Sequence, residues 1–254
     1  MRPRIGLAAG MLAAALAGGC ASVPPAAASM TRPATANPAD PWEAVNRKIF
    51  AFNDAVDQAV LIPVAKAYRD LVPEPVRQAF DNVLGNVTDG WAAINHLLQG
   101  KPKDALDTGM RVGVNSTFGL LGLLDVASEM GFERQNEDFG QTLGRWGFGP
   151  GPYLVLPFLG PRSMRDALAY PVDRVTSFAS LAGDGANVYT MTALELIHTR
   201  AGLLSTGALL NQIALDRYSF VRDSYLAKRR NDVYDGNPPE VPDDEPPEGA
   251  PSRQ

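Results

Sequence analysis

The chain offers little thiol or imidazole chemistry, because its 254 residues contain one cysteine and two histidines. Cys20 follows Leu16-Ala17-Gly18-Gly19. With no second thiol a disulfide framework cannot form, and a lone cysteine behind small residues is suited to acylation. Glu195-Leu-Ile-His198 is an E-x-x-H at helical spacing, half of what a two-metal helical site needs. The other histidine, His96, has Ala93 three residues before it, so no second copy exists and no metal is expected. The phosphate-cradling G-x-x-x-x-G-K-[ST] loop and the G-x-S-x-G elbow do not occur, which removes the usual routes to nucleotide hydrolysis and acyl transfer. Gly147-Phe-Gly149-Pro-Gly151 has prolines in its neighbourhood and no strand-turn-helix frame, so it is not a dinucleotide fingerprint. We expect no catalytic residues and no cofactor.

The informative residues are instead glycines, aromatics and leucines. Gly131 to Pro161 is punctuated by glycine and proline yet carries Phe132, Phe139, Trp146, Phe148, Tyr153 and Phe158. A connection of that length is usually functional or disordered, and its aromatic content argues for function. Phe118-Gly-Leu-Leu-Gly-Leu-Leu124 is apolar on all sides of any helix it could form. It is too short to span a bilayer, so it is either deeply buried or faces lipid. Gly109 and Gly113, one turn apart, suit close helix contact.

The two ends read differently from the middle. Met1 to Arg4 carries two arginines, Ile5 to Ala17 is apolar apart from Gly6 and Gly10, and small residues lead to Cys20. That order is a secretory signal over residues 1–19, and its small-small-Cys ending resembles a bacterial lipobox, with Leu16 one place further back than usual. Cleavage before Cys20 and lipidation of its thiol are expected. Ala21, where an aspartate would retain the protein, resembles the pattern sent to the outer membrane. Residues 20–37 are rich in Ala, Pro, Ser and Thr and read as a flexible tether. Residues 231–254 hold six prolines and seven acids against one basic residue. They are expected to be a disordered tail, a solvated end or a partner-binding one.

Residues 38–230 are enough for one domain with a sizeable core. The chain has 23 basic and 28 acidic residues. The ends take four arginines and seven acids, so the middle is near charge balance with no basic stripe, which argues against nucleic acid. Its punctuation is helical. Asp40-Pro41-Trp42-Glu43 reads as an N-cap with proline in the first turn, opening a helix to about Gln58. Pro63, Pro75 and Pro102 open others, to about Leu71, Leu98 and Phe118, with Gly85 and Gly90 as possible kinks. Ser163-Met-Arg-Asp166 is a capping box, and helices follow over Asn187 to Leu204 and Thr206 to Arg229 with a break near Asp216. The only extended stretch is Tyr153 to Leu159, interrupted by Pro157. The expected fold class is all-α, a single domain with one long irregular segment.

With these residues in view, the chain resembles the MlaA, or VacJ, family of outer-membrane lipoproteins. The resemblance opens at Asp40-Pro-Trp-Glu-Ala-Val-Asn-Arg-Lys-Ile-Phe-Ala-Phe-Asn53, on the pattern D-P-x-E-x-x-N-R-x-x-F-x-F-N. It continues through Tyr68-Arg-Asp-Leu-Val-Pro-Glu-Pro-Val-Arg77, Leu98-Gln-Gly100 and Phe139-Gly-Gln-Thr-Leu-Gly144. Gly151-Pro-Tyr-Leu-Val-Leu-Pro-Phe-Leu-Gly-Pro161 and Thr199-Arg-Ala-Gly-Leu-Leu204 follow in register. The acidic tail and the Gly-Pro within Gly147 to Gly151 depart from the family.

The resemblance implies a ring of amphipathic helices lying in the inner, periplasmic leaflet of the outer membrane. An amphipathic channel through it would take phospholipid strayed into the outer leaflet and hand it to a soluble periplasmic MlaC-like carrier. Porin trimers would bind the ring. Asn46, Phe50, Phe52 and Asn53 are candidates for the gate or channel, with ordinary core packing as the competing role. Phe139, Gly140, Gly144, Trp146 and Tyr153 are candidates for a porin contact or a channel-closing loop. An acyl chain of about 16 carbons costs roughly 12 kcal/mol to expose to water, so a conduit needs a sheltered path more than it needs nucleotide. A scaffold that binds porins or a carrier without conducting lipid, and a lipid hydrolase with a cryptic triad, are the rival readings.

Overall fold

The computed structural model describes residues 37–240. The signal over residues 1–19, Cys20, most of the tether and the tail from residue 241 lie outside the described residues.

Helix α1 (Glu43–Val56) does not stop near Gln58. It widens into a π turn (Asp57–Leu61) and continues as α2 (Ile62–Leu71). Pro63 has no N–H to give Ala59, and the ladder loosens there instead of breaking. The widened turn is held from outside, by the Arg200 guanidinium on both Asp57 carboxylate oxygens at 2.6 and 2.8 Å. Asp40 is not an N-cap as expected, since no side chain caps α1. It is buried and serves a tertiary role described below.

Helices α3 (Glu74–Leu98) and α4 (Pro102–Thr117) open at the expected prolines and pack against each other. Gly100, at φ +76°, turns the chain between them. Their amphipathicity is inverted. The buried positions of α3 are Asn86, Asp89, Ala92, Asn95 and His96, and those of α4 are Ala105, Thr108, Arg111, Val114 and Asn115. Both sets recur at three- and four-residue spacing, one helix face each. Ile94, Leu97, Leu98, Leu106 and Met110 point outward. Gly109 and Gly113 have open space where a Cβ would stand, so no helix among the described residues uses them for close approach. Gly85 admits the Arg134 guanidinium, only 2.4 Å from a Cβ built there.

Phe118 to Leu124 is neither helix nor core. It is a turn whose Leu120 and Leu121 adopt φ of 54° and 60°. Phe118, Leu120, Leu121, Leu123 and Leu124 are all exposed. Five apolar side chains on so short a segment cannot all find core contacts, and the chain beneath them is occupied by ion pairs.

The segment from Gly131 to Pro161 is more ordered than its composition suggests. After a four-residue helical turn, α5 (Val126–Glu129), it contains α6 (Phe139–Arg145) and strand β1 (Tyr153–Leu156). β1 ends before Pro157 and pairs antiparallel with β2 (Gly160–Ser163), Tyr153 opposite Ser163 and Leu156 opposite Gly160. α6 forms because Asp138 accepts from Gln141 N at 2.8 Å and Asp173 accepts from Phe139 N at 2.8 Å, satisfying the free amides of its first turn. The fold is thus mostly helical with a small hairpin.

Half of the expected capping box at Ser163 forms: its Oγ accepts from Asp166 N at 3.1 Å to start α7 (Met164–Val175), while Ser163 N donates to the Tyr225 hydroxyl and the Asp166 carboxylate turns to Arg229. A 3-10 turn (Phe178–Ala182), α8 (Gly185–Gly202), α9 (Leu204–Ile213) and α10 (Arg217–Val233) complete the described chain. The expected break falls at Asp216, which caps α10 by accepting from Tyr218 N. Among the described residues the apolar core is small: Tyr153, Val155 and Tyr218, with Ile49, Phe50, Tyr225 and Leu226 against them. No described helix is long and apolar enough to cross a membrane.

Candidate functional site

The opening motif works as a clamp. Asn46 and Asn53 stand seven residues apart on α1, about 10.5 Å along the axis. Their targets on the extended chain are three residues apart, about 10 Å. Asn46, 2 % exposed, donates through Nδ2 to Asp40 Oδ1 at 2.8 Å and Tyr153 O at 3.0 Å, and its Oδ1 accepts from Val155 N at 3.0 Å. Asn53 donates to Leu156 O and accepts from Phe158 N, both at 2.9 Å. The two amides therefore act as a further strand along the hairpin.

The rest of the motif ties α1 to α10. Asp40 accepts from the Tyr218 hydroxyl and from Arg222 Nη1 at 3.3 Å. Arg47 reaches Glu43 at 2.8 Å and Asp216 at 2.7 Å, with its guanidinium 4.3 Å above the Tyr218 ring. The two candidate phenylalanines part company. Phe50 packs edge-on against Tyr218 in the core, centroids 5.6 Å apart. Phe52, 46 % exposed, meets the still more exposed Phe158 edge-on at 5.4 Å. Phe158 itself sits at φ +63°, a conformation that costs roughly 1 to 2 kcal/mol for a non-glycine residue and is pinned by the hydrogen bond from its N–H to Asn53 Oδ1. Asn46, Phe52 and Asn53 thus converge on the hairpin and its tip, and Phe50 on the core behind it.

The glycines of α6 make a second site. Gly140 and Gly144, one turn apart, face a buried ion-pair cluster. A Cβ on Gly140 would stand 2.5 Å from Asp166 Oδ1 and 2.8 Å from Arg229 Nη2. One on Gly144 would stand 2.6 Å from Arg165 Nη1 and 2.8 Å from Val233. Arg229 forks onto Asp138 at 2.7 and 2.9 Å and onto Asp166 at 2.9 Å twice. Tyr225 donates to Asp166 at 2.6 Å, and Arg165 donates to it twice at 3.1 Å. Burial by itself raises the Asp166 carboxyl, but Arg229, Tyr225 and Arg165 hold it down to about 2. Asp138 is depressed for the same reason, Arg229 outweighing burial.

Of the other loop candidates, Phe139 and Trp146 meet edge-on at 6.2 Å, and Trp146 Nε1 donates to Leu98 O at 2.9 Å, so α6 is pinned to the end of α3. Tyr153 belongs with Asn46 and the core, not with α6. The E-x-x-H residues diverge. Glu195 accepts from Ala179 N and Arg174, whereas His198 lies 3.0 Å from the Tyr68 hydroxyl and 2.6 Å from Asp81.

One further cluster lies on a face that the sequence pattern assigns to the outside. Arg111 is fully buried and binds Asp89 at 3.2 Å, both oxygens of Asp125 at 3.1 Å, Ser128 Oγ at 3.1 Å and the Phe132 carbonyl. Asn115 bridges Asp125 and Ala127 N, and Arg134 adds a second cation on Asp89 at 3.3 Å. The available signal was the polar stripe Thr108, Arg111, Asn115 on α4, which periodicity alone assigns to the outside. This cluster fixes the base of the apolar Phe118–Leu124 turn.

These features describe a largely helical protein with an amide-clamped hairpin, ion-paired within and apolar at many exposed positions. The MlaA lipoprotein family matches residues 38–232, and the chain belongs to that family. It is 36% identical over 193 residues to proteins from Shigella flexneri and Escherichia coli strain K12, covering 74% of this chain and 76% of theirs. Each of those is named an intermembrane phospholipid transport system lipoprotein MlaA. It is also similar to a chain solved in work on the structural basis for maintenance of bacterial outer membrane lipid asymmetry. The TM-score is 0.68 at 33% identity, over 78% of this chain and 99% of that one.

Proposed function

We propose that the protein is a non-enzymatic lipoprotein of an intermembrane phospholipid transport system, anchored through Cys20 in the periplasmic leaflet of the outer membrane. In this reading its helices lie in that leaflet. Phospholipid mislocalised to the outer leaflet passes through an amphipathic channel to a soluble periplasmic carrier, and porin trimers hold the protein in place. The clamped hairpin with Phe52 and Phe158 at its tip serves as the gate, and α6 with Trp146 as the channel or porin-contact segment.

The observation that carries the reading is the inversion of polarity. The largest fully buried side chains include Arg111, His96, Asn46, Asn95, Asn115 and Asp89. Leu71, Leu121 and Leu168 are each more than two thirds exposed. Each exposed leucine forfeits about 1.5 to 3 kcal/mol in water relative to burial. In a lipid leaflet the same side chains cost nothing there, and interior ion pairs hold the helices together where apolar contacts between them would gain little.

The test is phospholipid transfer by the full lipidated protein reconstituted in vesicles, with mass spectrometry of the lipid. Faster transfer of intact phospholipid is expected. No acceleration over protein-free vesicles would leave a scaffold, and lyso products would indicate a hydrolase.

A further inference from the structure

A pocket of about 400 Å³ opens between the turn after α6 and the C-terminal half of α10. Its walls are mainly apolar, from Phe148, Leu226 and Val233, and three arginines line it: Arg165, Arg229 and Arg230. Two of those cations are committed. Arg165 and Arg229 are held by Asp166 and Asp138, with their side chains 6 % and 13 % exposed. Arg230 is different. Among the described residues it meets no carboxylate, and its guanidinium contacts only the carbonyl of Pro239. Asp232, two residues on, is paired with Lys228 at 2.6 Å and lies 4.0 Å from Arg229. Among the described residues, Arg230 is thus the one lining arginine of this pocket without a carboxylate partner, beside an apolar wall.

We propose that this pocket binds an amphiphilic phosphodiester, the phosphate on Arg230 and the first methylenes of an acyl chain against Phe148, Leu226 and Val233. A phosphodiester brings a single negative charge, which the Arg230 guanidinium matches, and the planar fork of arginine suits two phosphate oxygens. The buried arginines are fixed by their aspartates, so the lining is preorganised and binding need not reorder it. The inference rests on the phospholipid-transport reading and names where a headgroup docks.

The test titrates the full-length protein in dodecyl maltoside by calorimetry with dihexanoylphosphatidylglycerol below its micelle-forming concentration. Inorganic phosphate and dihexanoylglycerol are the comparison arms. The phospholipid is expected to bind at least roughly tenfold more tightly than either comparison. Arg230→Gln should weaken the phospholipid about tenfold and leave dihexanoylglycerol unchanged. Gly149 lines the pocket with open space at its Cβ position, so Gly149→Leu should weaken both amphiphiles at an unchanged unfolding temperature. Wild-type affinity in both variants would overturn the proposal, as would phosphate binding as tightly as the lipid, which would mark a simple anion site. Vesicle transfer judges the transport reading separately: normal transfer with unaltered binding in the variants sinks the pocket alone.

Discussion

Asn46 Nδ2 and Oδ1 bracket Tyr153 O and Val155 N, so a single buried amide replaces the strand partner that the hairpin edge lacks. Removing it leaves two backbone groups and the Asp40 carboxylate short of a partner inside the fold. Each orphaned buried group costs about 1 to 3 kcal/mol, so Asn46→Ala should destabilise by several kcal/mol. Asn46→Asp should be at least as damaging, because a carboxylate cannot donate to Tyr153 O or to Asp40. Asn53 is partly exposed, and water can serve its partners, so Asn53→Ala should cost only about 1 kcal/mol. Thermal unfolding followed by circular dichroism ranks the three, and amide exchange at Phe158 should rise specifically in Asn53→Ala. Equal destabilisation by the two alanine variants would contradict the clamp.

Glycine substitutions separate packing from propensity. Gly140→Ala and Gly144→Ala each place a methyl within 3 Å of the Asp138–Asp166–Arg229 cluster or of Val233. Overpacking of that kind typically costs about 1 to 3 kcal/mol. Gly109 and Gly113 are helical and face open space, so alanine there should stabilise by about 0.5 to 1 kcal/mol. Opposite signs at the two pairs, read from urea midpoints, are the expected result.

The sequence announced its helices well because prolines and capping residues are local signals: Pro75, Pro102, Ser163 and Asp216 all mark real boundaries. It misjudged Asp40, whose partners Tyr218 and Arg222 are more than 170 residues away. It also hid α6, since three glycines in or beside a seven-residue helix read as loop, and the local cap from Asp138 is completed by Asp173, 34 residues away. The polar faces of α3 and α4 were visible as stripes, but periodicity locates a face without saying whether water, protein or lipid lies against it. The gate and loop candidates came from the family motif, and their partition between hairpin, core and α6 needed coordinates.

The Arg229 cluster gives acid sensitivity a defined place. Asp166 is held at about 2 in the fold against an ordinary 3.8, and its side chain is 3 % exposed. The depressed carboxyl contributes stability that is fully present above about pH 4 and is lost as pH falls through 2, on the order of 2 kcal/mol. Asp138, also depressed, adds a loss of the same sign. Asp166→Asn should therefore be less stable at neutral pH, with a flatter dependence on acidification. Unfolding temperatures at pH 6 and pH 2.5 for both proteins provide the check, and parallel curves would exclude Asp166 as the source.

The Phe118–Leu124 turn permits a test in which stability and lipid affinity move in opposite directions. Leu120 and Leu121 occupy left-handed backbone, where leucine is disfavoured and asparagine is tolerated by its local hydrogen bonding. Both side chains are exposed, at 64% and 79%, so neither contributes much packing within the protein. Replacing both by asparagine should raise stability in detergent-free buffer by about 1 kcal/mol in total through relief of backbone cost. If the turn enters lipid, the same change removes two apolar anchors, each worth about 1.5 to 3 kcal/mol when buried, and should reduce vesicle binding of unlipidated protein by at least about tenfold. The two effects have separate causes, backbone strain in one case and lipid contact in the other. A double variant that gains stability yet binds vesicles as tightly as wild type would show that this turn, despite its leucines, does not meet the membrane.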